Sequence, residues 1–139
     1  MAAFNKFNAF VADVNNKVHN MGADNIKVML SDVAPVATNA VKADITEITA
    51  QNGYSAGGSQ ATLISSTQTG GLYKLLLNSV TFTAAGGSFG PFRYAIFYNS
   101  TPASGNLIGW YDYGAEVTVT NGNSFQVNPD AVNGLYTDQ

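Results

Sequence analysis

Cysteine is absent from the 139 residues. That excludes a disulfide scaffold, a thiolate zinc site and a cysteine nucleophile together. Charge is also scarce. Only 11 % of residues are Asp, Glu, Lys or Arg, under half of the roughly 25 % usual for globular domains. The net charge is −3, and the six basic residues are scattered from Lys6 to Arg93 with none beyond it. Nucleic-acid backbones are met by clustered Lys and Arg, so no nucleic-acid partner is expected. His19 is the one histidine. Without cysteine it makes no ordinary zinc site, so no metal or cofactor is expected, and it reads as a helix-end or surface residue. No stretch approaches the roughly 20 apolar residues of a membrane span. The N-terminal MAAFNKFNAFVADVNNK is interrupted by Asn, Lys and Asp and lacks the unbroken apolar core of a signal peptide. The expectation is a protein made in a cytoplasm with no membrane partner.

What the chain does contain is glycine, at 14 positions, many uncharged Asn, Ser and Thr residues, and a 45 % apolar share. That mixture suits extended strands joined by tight turns, and the length fits one domain. Phe4, Phe7, Val11, Val14 and Val18 recur at spacings of three and four, with Phe10 widening the stripe. The spacing predicts an amphipathic helix over residues 1–22, ended by Gly22. Its apolar face either packs on the domain or contacts a partner subunit.

From residue 23 onward the period becomes two. Strands are predicted in NIKVMLS, ADITEIT, ATLISSTQT, LYKLLLNSVTFTA (bending near Asn78–Ser79), PFRYAIFYN, LIGWYDYG, EVTVT, SFQV and between Ala131 and Thr137. NGYSAGG, the Gly70–Gly71 pair and STPASGN read as loops or turns, and NGN between EVTVT and SFQV reads as a hairpin. No βαβ alternation occurs. The fold class is therefore mainly β: an antiparallel, jelly-roll-like β-sandwich of about eight strands over residues 23–139, with one N-terminal amphipathic α-helix.

Arg93, the one arginine, sits inside the apolar run GPFRYAIFYN. In regular alternation Phe92, Tyr94, Ile96 and Tyr98 share one face, and Arg93, Ala95 and Phe97 share the other. Both faces are largely apolar, which predicts a central strand covered on both sides. A buried, unpaired guanidinium would cost several kcal/mol. A hairpin closing over Ser100–Asn106 brings Arg93 opposite Tyr111–Tyr113, and Asp112 faces it only if a bulge shifts the register by one. Two arrangements remain open: an Arg93–Asp112 ion pair, or Arg93 stacked on tyrosine.

No catalytic constellation emerges. Asp44 and Glu47, three apart in a predicted strand, point to opposite faces. No GxSxG, P-loop or EF-hand spacing occurs. GGSFGPF is glycine-rich, but no helix follows to hold a phosphate. Tyr94, Tyr98, Trp110, Tyr111 and Tyr113 gather in one predicted hairpin. They read as core or interface residues, with a sugar-stacking platform as the alternative.

Taken in combination, FNKFNAFVADVNNKVHNMGADNIKVML, APVATNAVKADITEI, NGYSAGG and GPFRYAIFYN followed by LIGWYDYG give a pattern that resembles a group of small tailed-bacteriophage structural proteins. The resemblance runs from about Phe4 to Val127. It implies a non-enzymatic virion component of the head decoration or cement kind, made in the host cytoplasm and located on the capsid surface. Its implied partners are the phage major capsid protein and further copies of itself, as a dimer or trimer. The contact surface expected on this basis is Phe4, Phe7 and Phe10 with the aromatic hairpin. The other roles open to such a protein are a receptor- or glycan-binding module of the virion and a tail or adaptor protein.

Overall fold

A computed structural model describes residues 3–138. Met1, Ala2 and Gln139, at the outer ends of the two expected segments, lie outside the described residues. In chain order the elements are β1 (Phe4–Lys6), α1 (Asn8–Asn15), β2 (Ile26–Ser31), β3 (Ser59–Ala61), β4 (Leu63–Thr69), β5 (Leu72–Leu77), β6 (Val80–Thr83), β7 (Phe89–Asn99), β8 (Leu107–Val119), β9 (Ser124–Val127) and β10 (Thr137–Asp138). Pairing is antiparallel, in three sheets ordered β1-β8-β7-β2-β3, β10-β5-β4 and β6-β9. The fold is mainly β with one helix. Among the described residues, ten strands in sheets of five, three and two stand where about eight strands were expected.

The five-stranded sheet is apolar on both faces. On one, Val28, Leu30, Ala95, Phe97, Ile108 and Tyr111 share a core with Leu75, Leu77, Val80, Phe82 and Val127 of the two smaller sheets. On the other, Met29, Tyr94, Ile96, Tyr98 and Leu107 pack with Phe7, Ile45 and Trp110. β7 runs through the middle, hydrogen-bonded to β2 on one side and β8 on the other. Its register against β8 shifts between Phe89 and Phe92 and again between Phe92 and Tyr94. These bulges break the simple alternation. Phe92 joins Ala95 and Phe97 in the first core, not Tyr94 and Ile96 in the second.

The N-terminal segment departs most from the sequence reading. The helix spans eight residues, and Phe4 lies before it on a strand paired with β8. The chain passes around the edge of the large sheet here. Phe4 lies edge-on to Phe97 and Tyr111 on one face, and Phe7 packs on Trp110 on the other. A single helical stripe cannot reach both faces of a sheet, whereas a strand followed by a turn can. Gly109, paired with Lys6, makes the approach possible: a Cβ there would collide with the Phe4 ring. Phe7 is 0 % exposed and Phe10 3 %, so both belong to the chain's own core and not to a free apolar face.

Other segments depart in smaller ways. A 3-10 turn, Lys42–Asp44, takes up the start of ADITEIT, and the rest makes only an isolated bridge from Glu47 to Ser31. Asp44 accepts from the N–H groups of Ala40 and Val41, a local closure that competes with a strand. LIGWYDYG and EVTVT are one continuous strand, β8. The NGN segment does turn, but β9 pairs with β6 and not with β8, so the chain changes sheets there. The expected bend near Asn78–Ser79 is likewise a change of sheet between β5 and β6. Of the last strand predicted between Ala131 and Thr137, only Thr137 falls in a regular strand, β10, while Leu135 and Tyr136 exchange backbone hydrogen bonds with Leu75 ahead of it. Gly70 and Gly71, with φ of 60° and 84°, form the two-residue turn that joins β4 to β5.

Phe7 therefore tests the N-terminal segment as core. Phe7→Ala should lower the unfolding free energy by about 3–5 kcal/mol, read from the urea midpoint at unchanged slope. A loss below about 1 kcal/mol, the range of surface substitutions, would return this side chain to a surface role.

Candidate functional site

A cleft of about 700 Å3 opens between the segment that follows α1 and the β4–β5 hairpin. Helix α1 stops because the chain reverses at Lys17, whose φ is +64°. The N–H groups of Lys17 and Val18 return to the carbonyls of Val14 and Asp13 at 3.4 and 2.9 Å. This left-handed position after a helix is usually glycine or asparagine, because a Cβ is strained there. A tight turn follows, in which the Asn20 carbonyl accepts from the N–H groups of Ala23 and Asp24 at 3.0 and 2.8 Å. Lys17, Asn20 and Met21 are thereby held along one wall.

The opposite wall is aromatic. The rings of Tyr73 on β5 and Tyr136 are 5.7 Å apart at 39°, and Phe10 meets Tyr136 edge-on at 5.0 Å. The Ser66 hydroxyl on β4 is bonded to that of Tyr73 at 2.7 Å. Both tyrosines are only half-buried. Lys17 is the one charged residue lining the cleft among the described residues.

Beneath this wall lies a buried polar network. Asn99 Oδ1 accepts from the N–H of Thr101, which orients the amide. Its Nδ2 then donates to Asp24 Oδ2 at 2.6 Å and to His19 Nδ1 at 3.0 Å. His19 is thus neutral with its proton on Nε2. That Nε2 lies 3.8 Å from Asp13 Oδ2, outside hydrogen-bond reach, and has no partner. Burial is the main force on this imidazole and lowers its pKa from 6.5, while the carboxylates of Asp13 and Asp24 pull the other way. Asp24 Oδ2 also accepts from the Asn20 N–H at 2.8 Å, which ties the network to the cleft wall. His19 is therefore neither a surface nor an ordinary helix-end residue; its imidazole is fully buried. A lone His flanked by aspartates at 13 and 24 was the available sequence signal, but Asn99 is 80 positions away and no periodicity announces it.

The residues singled out from sequence fall elsewhere. Arg93 Nε and a terminal nitrogen bond Asp112 Oδ1 and Oδ2 at 2.7 and 3.1 Å. The Arg93 guanidinium carbon also lies 5.4 Å from the centre of the Tyr94 ring. Both arrangements left open by the sequence are present, and the bulge after Phe92 sets Asp112 opposite Tyr94. The pair is more than a third exposed, with side chains 39 % and 36 % accessible. Arg93 and the Gly114 N–H hold the Asp112 carboxyl below its ordinary range.

Tyr94, Tyr98 and Tyr111 are buried, and Trp110 and Tyr113 are half-buried. Tyr111 and Tyr113 belong to a run of ring contacts that also takes in Phe4, Phe97, Phe125 and Phe92. Burial pushes the Tyr111 hydroxyl up to about 12. Tyr94, Tyr98 and Tyr111 are core side chains, and Trp110 and Tyr113 pack against the core with part of each ring exposed. The sequence did not mark Tyr73 and Tyr136, because they lie 63 positions apart in segments of unlike character.

Against protein-family models, curated proteins and solved structures, the chain matches nothing. Among the described residues, no three His, Asp or Glu side chains gather as a metal site. No helix among them is long and apolar enough to cross a membrane.

The His19 network sets a pH response. The folded state resists a proton that the unfolded chain accepts near 6.5. Its contribution is complete above that value and is lost as pH falls toward the depressed folded value. Asp44, Asp112 and Asp130, all held below their ordinary 3.8, act only at lower pH. Urea unfolding between pH 7.5 and 5 should show falling stability in the wild type and a flatter curve in His19→Gln. Equal slopes would mean that His19 does not govern this window.

Proposed function

We propose that the chain is a non-enzymatic structural subunit of a tailed-phage virion, a decoration or cement protein on the outside of the head. The observation that carries this reading is the open edge of β4. The strand reads LISSTQT, seven residues without a charge or proline, and among the described residues β5 is the one strand that pairs with it. Leu63 and Ile64 at its start are exposed, the latter by 54 %. Chains that remain monomeric commonly guard such edges with lysine, proline or a covering segment. Here the guard is limited to one bulge between Leu63 and Ser65. An unguarded edge takes up an extended segment by continuing the sheet.

In this reading β4 adds to a strand of a second copy or of the coat protein. The five-stranded sheet packed on the two smaller ones is the sandwich that stands on the shell. A surface low in charge suits a protein largely surrounded by other protein. Repetition over a lattice makes each modest contact effectively permanent.

Thr67→Glu tests the edge. The introduced carboxylate would face Lys74 across the β4–β5 pair, a favourable cross-strand couple, so the fold should hold. A charge on the edge should at the same time abolish self-association in sedimentation velocity and attachment to particles. An unchanged sedimentation coefficient and retained attachment would remove β4 from the interface. Immunogold labelling of purified virions tests the location. Gold spread over the heads is expected. Gold confined to tails or to one vertex, or no gold on particles, would overturn the assignment.

A further inference from the structure

We propose that the cleft between the 17–22 segment and the β4–β5 hairpin binds an acidic sugar: a pyranose ring bearing hydroxyls and one carboxylate. This site is separate from the β4 edge and does not depend on that reading.

The volume, about 700 Å3, lies within the roughly 300–1,000 Å3 range of small-ligand sites. Tyr73 and Tyr136 line the cleft and are half-buried, with ring centres 5.7 Å apart. An aromatic face offers a pyranose a flat apolar surface for its C–H groups, while its own rim stays polar. The hydroxyl partners are at hand. The Ser66 and Tyr73 hydroxyls already share one hydrogen bond at 2.7 Å, and each keeps capacity for another. Asn20 uses its Oδ1 on the Gly22 N–H, which leaves its amide NH2 for a ligand oxygen.

The charge follows from Lys17. It is the one charged lining residue, and it has no ion-pair partner among the described residues. One ammonium matches one carboxylate. Phosphate groups are usually met by an arginine fork or by the backbone N–H groups of a helix N-terminus, and neither is among the residues that line this cleft. Lys17 is moreover held at φ +64°, where a β-carbon is strained. Strain of this kind persists where the surroundings or a function maintain it. Here the N–H groups of Lys17 and Val18 fix the reversal, and Asp24 Oδ2 fixes the Asn20 N–H through the Asn99 network. The wall is set before a ligand arrives, which reduces the ordering cost of binding.

The test is an NMR titration of the full chain with three probes: methyl β-glucuronide, methyl β-glucoside and inorganic phosphate. Saturable shifts at Asn20, Ser66, Tyr73 and Tyr136 are expected with the glucuronide, and at least fivefold weaker binding with the glucoside. Phosphate should not compete. Tyr73→Ala should abolish the shifts. Because that variant removes part of the core edge, Lys17→Gly provides the second arm. Relief of the positive φ should raise its Tm by about 2–5 °C, and the glucuronide should bind it no better than the glucoside. No saturable shifts in the cleft, equal affinity for both sugars in the wild type, competition by phosphate, or retained discrimination in Lys17→Gly would each overturn the proposal.

Discussion

The structure depends on covering both faces of β7. A sheet with one dry face needs one partner layer, but this strand carries Phe92, Ala95 and Phe97 toward one core and Tyr94, Ile96 and Tyr98 toward another. The smaller sheets cover the first face. The second is covered by irregular chain, and irregular chain brings backbone groups that must be paired. β3 pairs with β2 only from Ile26 to Val28. Beyond that point the Tyr54 hydroxyl accepts from the Leu30 N–H at 3.0 Å, and the Ile48 N–H donates to the Leu30 carbonyl at 3.1 Å. The Tyr54 hydroxyl in turn donates to Glu47 at 2.6 Å, and Tyr98 donates to the Gly57 carbonyl at 2.6 Å. The segment from Ile45 to Gly57 thus stands in for a strand. The Tyr54 hydroxyl and the Ile48 N–H close the bonds at Leu30 that a longer β3 would have made.

The same demand explains what could be seen in the sequence and what could not. Alternation, the glycine pair at 70–71 and the apolar run around Arg93 are local signals, and β2, the β4–β5 hairpin and the central β7 follow from them. The Arg93 problem was legible because a charge in an apolar strand has few solutions. The N-terminal phenylalanines were not. Spacings of three and four fit a helical face, and the same residues fit a strand that wraps a sheet edge once Gly109 leaves room for Phe4. Tertiary packing overrode the local period. The changes of sheet at Asn78–Ser79 and at NGN were likewise hidden, because a turn signal says where the chain bends and not which strand receives it.

Sheet geometry also keeps the proposed pairing edge and the proposed cleft apart on one hairpin. A strand directs its side chains to the two faces and its backbone groups to the edges. β4 sends Ser66 to the cleft, while its outer backbone edge lies in the plane of the sheet. Pairing along that edge and a ligand in the cleft use perpendicular directions. Neither requires the other to be vacated, provided that the 17–22 wall stays in place.

That wall is where the molecule gives up stability. Elsewhere the interior follows the usual rules. Among the described residues, His19 Nε2 is the one buried side-chain nitrogen or oxygen without a hydrogen-bond partner. Lys17 holds a positive φ that glycine would hold without strain. Asn52, the other non-glycine residue with positive φ, is of a type that tolerates it. The two costs fall two residues apart on one cleft wall. Random imperfection would have no reason to place them together. Local rules tend to be broken where a site needs a particular group in a particular place. At position 17 the chain holds an ammonium on a turn fixed by backbone hydrogen bonds, and two residues on His19 Nε2 is buried without an acceptor.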